Sequence, residues 1–184
     1  MRNDEFVITG EKTTRIAEAF AVDPASVNGL WGLYKNLAGS IKNLYLAHIT
    51  RAMEHYFRGK TGNPLFIVSC EPYRVHVPGQ KDCGAYYVPG KRFVIFFNSA
   101  LDEREIRVKI AHELGHLFLL ASYDLKDGRK MIPLYDHTME PLSSIFGIFV
   151  ISDKNDFYQN AAGSPRNHPD WNAVLSDFAG LSKK

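Results

Sequence analysis

The sequence predicts an α+β domain: N-terminal helices, then a small mostly antiparallel sheet, then a pair of buried helices. Three observations predict it. Apolar residues recur at threes and fours through much of the first sixty positions, the spacing of an amphipathic helix. Between residues 64 and 98, short runs rich in β-branched and aromatic residues are set off by proline and glycine. Two longer apolar stretches follow, and the first contains His112-Glu113-Leu114-Gly115-His116. With 184 residues, 45% of them hydrophobic, the chain can bury a full core as one domain. Its parts are a helical region over 1–60, the sheet and paired helices over 61–152, and a tail over 153–184.

The first helix is expected over 11–21 and a second region over 27–57, with Leu30, Tyr34, Ile41, Leu44, Ile49 and Met53 on its apolar stripe and a division at Gly39-Ser40. His48 and His55 read as ordinary helix histidines, because no acidic or cysteine partner stands at ligand spacing. Strands are expected over 65–70, 74–77, 84–88 and 92–97, the last two forming a hairpin. In this architecture the strand before the motif helix has a free edge on which an extended peptide can pair through its main chain. Tyr86 and Tyr87 read as cross-strand packing residues, and Cys70 as a strand residue rather than a nucleophile. Asp102, with Glu105 three residues on, is the N-cap and capping-box pattern that opens a helix. In the tail, Trp171, Val174, Leu175 and Phe178 have helical spacing and can pack on the body, cover the site or dock a partner.

Residues four apart on a helix share a face, so His112 and His116 can turn two imidazole nitrogens toward one metal ion while Glu113 stands beside them as a base. Ile106, Val108, Ile110, Leu114, Leu117 and Phe118 make this segment apolar nearly all round, which marks a buried helix rather than a solvated one. Buried histidines and a buried glutamate need partners, and a metal ion serves all of them at once. Two histidines and a carboxylate are a common catalytic zinc set that leaves a position open for water. An ordinary glutamate, with a pKa near 4.3, would be ionised and ready to take a proton at neutral pH. The pattern predicts a zinc-dependent hydrolase, first of all a peptidase, with one Zn2+ per chain.

The third ligand must come from elsewhere. The metzincin pattern needs glycine and then histidine or aspartate where this chain has Leu119 and Ser122, so that class is excluded. Glu140 is the first choice, at the start of a second apolar helix that Thr138 can cap, with Pro141 tolerated in the first turn. The alternative for Glu140 is a residue that only complements the helix dipole, and Asp136 and His137 stay open as substitutes. Tyr135 and His137, in the loop between the two helices, are candidate hydrogen-bond donors to a developing oxyanion.

Gly84-Ala85-Tyr86-Tyr87, the strand Phe93-Val94-Ile95-Phe96-Phe97-Asn98, the segment Arg107 to His116 and the stretch from Glu140 through Phe146-Gly147 to Ile151 together resemble the ImmA/IrrE family of bacterial and phage metallopeptidases. The resemblance covers roughly residues 84–152. It implies a minimal zincin-like fold with a metal-binding helix pair, zinc, and cleavage of a protein partner such as a DNA-binding repressor of a mobile element or stress response. Where that family usually has Glu-Ala-Asn before the phenylalanine, this chain has Leu142-Ser143-Ser144. Glu140 therefore sits two residues before the commonest position of the family's glutamate. A divergent member could also be an inactive metal-binding interaction module.

A net charge of +2 and a pI near 8.5 are too mild to point to direct nucleic-acid binding. Two cysteines, Cys70 and Cys83, do not make a disulfide framework. No signal peptide or membrane-length apolar run is visible, so the expected location is cytoplasmic, without a membrane partner.

Overall fold

The computed structural model describes residues 7–38, 54–55, 58–59, 62–70, 82–88, 91–122, 139–153 and 171–181. Among them the architecture is mixed α+β, with five helices and one three-stranded sheet. Helix α1 spans Gly10–Phe20 and opens on Thr9, whose hydroxyl accepts from the Lys12 N–H at 3.3 Å. Its buried residues, Thr13, Ile16, Ala17 and Phe20, recur at threes and fours and form one face. Helix α2 spans Pro24–Ala38, three residues earlier than the apolar stripe starts, because proline's fixed φ and missing N–H suit a first helical turn. Trp31 and Tyr34 on α2 meet Phe149 and Phe146 edge to face, at ring centroid distances of 5.0 and 5.6 Å. His55 is exposed, and His48 lies outside the described residues.

Strand β1 spans Leu65–Cys70, β2 Cys83–Val88 and β3 Arg92–Asn98. The sheet order is β1-β3-β2, with β2 antiparallel to β3 as the hairpin reading expects and β1 parallel to it. The described sheet is therefore mixed rather than mostly antiparallel. β3 is the central strand, its run Phe93 to Phe96 buried, with β1 paired along one edge and β2 along the other. This also corrects the expectation of a free edge on the strand before the motif helix: β3 is central, and the edges among the described residues belong to β1 and β2. Segment 74–77 lies outside the described residues.

Helix α3 spans Glu103–Ser122, and Asp102 caps it by accepting the Glu105 N–H at 2.9 Å. Helix α4 spans Met139–Asp153 and is buried continuously from Ser143 to Ser152. Helix α5, Trp171–Leu181, packs on the body through Val174 and Phe178, and its Asp177 accepts from the Arg104 guanidinium, Nε to Oδ2 at 3.1 Å and Nη2 to Oδ1 at 2.9 Å and Oδ2 at 2.7 Å. None of the described helices is long and apolar enough to cross a membrane.

The most extensive packing joins α3 to α4. A Cβ on Gly115 would stand 2.5 Å from the Ser143 carbonyl oxygen and 2.7 Å from its Cα, so glycine is what lets the two backbones touch there. Gly147 makes a second close approach, to the backbone of Ala111 and the ring of Phe178. The pairings 115 with 143 and 111 with 147 advance in opposite directions, so the helices run antiparallel.

Gly115→Ala is expected to destabilise the protein by about 1–3 kcal/mol, the usual range for overpacking a filled core, since neither backbone can yield locally. Urea unfolding of the variant beside the parent measures it. A loss below about 0.5 kcal/mol would mean the helices separate at little cost.

Candidate metal centre

The centre is assembled from α3 and α4 alone. His112 and His116 sit one turn apart on α3, 8% and 0% exposed, and Glu140 stands in the first turn of α4. Their donor atoms converge. The two Nε2 atoms lie 3.0 Å apart, Glu140 Oε2 lies 3.2 Å from His112 Nε2, and Glu140 Oε1 lies 3.2 Å from His116 Nε2. These three residues are the group among the described ones that could hold a metal ion. Imidazoles facing each other through their Nε2 atoms repel unless a cation or a shared proton lies between them. Tetrahedral donors around an ion at about 2.0–2.1 Å are spaced by roughly 3.3 Å, close to the spacings observed. The donor set fits such an ion.

The electrostatics divide the two glutamates. Burial alone would raise the Glu140 carboxyl, but its contacts with His112 and His116 outweigh that and hold it well below the ordinary carboxylate range. Burial pushes Glu113 the other way, above its ordinary value, with His112 and His116 acting against the rise and Glu140 adding to it. The ordinary glutamate expected from the sequence is therefore replaced by a desolvated one. Glu113 is 5% exposed, and its Oε2 has no hydrogen-bond partner among the described residues. Lys109, one turn earlier on α3, acts to lower the Glu113 carboxyl and pairs with Asp82 at 3.5 Å. Cys83 at the start of β2 is a free thiol pushed far up by burial and by the nearby Glu113, which makes it a poor nucleophile.

Compared with family models, curated proteins and solved structures, the chain matches none. The reading of the centre rests on its own geometry.

That geometry brings His112, Glu113, His116 and Glu140 together. Asp136, His137 and Tyr135 lie outside the described residues, as does Thr138. Sequence reasoning missed two participants. Gly115 sets the distance between the helices, a role invisible until its neighbour is known. Ser144 Oγ lies 3.0 Å from His112 Nδ1, and its place four residues after Glu140 is the helical spacing that could have flagged it. A cleft of about 350 Å³ opens between the first turns of α3, Asp82 and α5, lined by Arg104, Glu105, Val108, Lys109 and Asp177 among others. It begins one turn before Glu113 and does not include the three donors.

Protein purified without added metal and then dialysed against Zn2+ is expected to take up about one ion per chain, with His116→Ala and Glu140→Ala each losing it. Elemental analysis of the three proteins reads this out. Retention by Glu140→Ala would move the third donor to another residue.

Proposed function

We propose that the chain is a zinc-dependent metallopeptidase of zincin-like fold, a divergent relative of the ImmA/IrrE family, which cleaves a protein partner. The observation that carries this reading is Glu113: a buried carboxylate with an unpartnered oxygen, next in sequence to a histidine of a convergent His-His-Glu set. A purely structural ion would need the three donors and nothing more, whereas an orphaned buried carboxylate costs stability, and a role in a reaction explains its presence.

Two imidazoles and one carboxylate, with a position left for water, are a common catalytic zinc set. When bound, Zn2+ supplies a Lewis acid that polarises a carbonyl oxygen and lowers the pKa of water to about 7. Glu113 is the general base and acid. It accepts a proton from the attacking water through the oxygen that has no other partner, and its desolvation strengthens its hold on that proton. It then delivers the proton to the nitrogen of the leaving amine. Glu140, kept ionised by the imidazoles, does not compete for it.

A peptide substrate is supported by the position of β2. This strand pairs with β3 on one side only among the described residues, and it begins at Cys83, close enough to Glu113 to feel its charge. An extended chain added to that edge would gain main-chain hydrogen bonds and lie alongside the proton-transfer group. A repressor protein is the partner class that the family resemblance brings, and a cytoplasmic location goes with it.

Incubating the zinc-loaded protein with a diverse peptide mixture and reading new termini by mass spectrometry tests the proposal. The parent should cut a subset of peptides, and Glu113→Gln should bind zinc equally yet cut at least about 100-fold more slowly. Full zinc occupancy with no cleavage by the parent would favour a non-catalytic interaction module instead.

A further inference from the structure

We propose that Ser144 is a positioning residue of the metal centre, holding His112 in the tautomer and ring orientation that turn Nε2 toward the ion. The inference rests on the metal reading above and extends it to a residue outside the donor set.

His112 is gripped by α4 at both ring nitrogens. Glu140 Oε2 lies 3.2 Å from Nε2, and Ser144 Oγ, one turn further along the same helix, lies 3.0 Å from Nδ1. A neutral imidazole carries its proton on only one nitrogen. When Nδ1–H donates to the Ser144 hydroxyl oxygen, the lone pair is left on Nε2, the nitrogen that faces His116 Nε2 and Glu140. With this bond made, Nε2 cannot carry the proton that would block coordination. Ring rotation is restricted as well, because turning the imidazole would break the buried bond from Nδ1–H to the Ser144 hydroxyl oxygen.

The neighbouring residue supplies an internal contrast. Ser143 and Ser144 are both fully buried on α4, yet the Ser143 hydroxyl has no partner among the described residues while the Ser144 hydroxyl meets His112. A serine inside an apolar helix face is unfavourable on transfer grounds. At Ser144 the hydrogen bond to His112 offsets that cost. The two positions therefore separate the loss of a buried hydroxyl from the loss of this particular bond.

Zn2+ affinity, measured by competition with a chromophoric chelator, should fall about 10–100-fold in Ser144→Ala, the usual effect of removing a partner behind a metal-bound histidine. Ser143→Ala should stay within about twofold of the parent, and Ser144→Thr, which keeps the oxygen, should recover most of the affinity. Long-range proton–nitrogen NMR of the zinc-loaded parent should show His112 protonated at Nδ1. An unchanged affinity in Ser144→Ala, an equal loss in Ser143→Ala, or a proton on Nε2 of His112 in the loaded parent would each overturn the assignment while leaving the metal centre intact. A parent that takes up no Zn2+ would overturn both readings together.

Discussion

The closeness of α3 to α4 is the constraint on which the site depends. Where Gly115 meets the Ser143 backbone there is no room for a single methyl group. Because the helices run antiparallel, residues on either side of that contact fall into register turn by turn: His116 faces Glu140, and His112 faces Ser144. A glutamate side chain is short, and one added layer of side chains between the helices would carry its carboxylate out of reach of both imidazoles. Gly147 extends the same closeness by another turn, and Phe178 of α5 fills the space beside it. Trp31 and Tyr34 brace Phe146 and Phe149 from the direction of α2. The hydrophobic packing thus acts as the mould for a polar site.

Polar groups placed inside such a mould must be matched to one another. His112, His116, Glu113 and Glu140 lie together in a region where water is scarce, and desolvation is the leading influence on both carboxyls. Opposite outcomes for two identical side chains then follow from the deeper burial of Glu113 and from the contacts of Glu140. Glu140 touches both imidazoles and is held ionised, whereas Glu113 has an oxygen with no partner and is pushed toward its neutral form. Carboxyls whose environments drive them apart in this way are suited to different tasks, one as a fixed donor and the other as a proton carrier. On the sheet side, β2 brings Cys83 near Glu113, and the strand's outer edge is unpaired among the described residues.

Much of this was legible in the chain, and the reason is local. Four-residue spacing puts His112 and His116 on one helix face in any helix, and Asp102 caps α3 through a bond to the residue three positions on. Strand β1 appears over the residues its apolar run marks, and α4 begins where an acidic first turn meets a long apolar segment. Pro24 sets the start of α2, a local signal three residues ahead of the apolar stripe that begins at Val27.

By itself the sequence determined the described helices, the three described strands and the proximity of two histidines, since each depends on residues a few positions apart. Tertiary structure decided which strand lies at the centre of the sheet, that Glu140 reaches both imidazoles, that Gly115 admits the facing backbone, and that Ser144 rather than Ser143 meets His112. Strand order, helix separation and helix rotation are set by pairings between segments far apart along the chain. A rotation of α4 by one residue would move Ser144 away from His112 while leaving every local sequence signal the same.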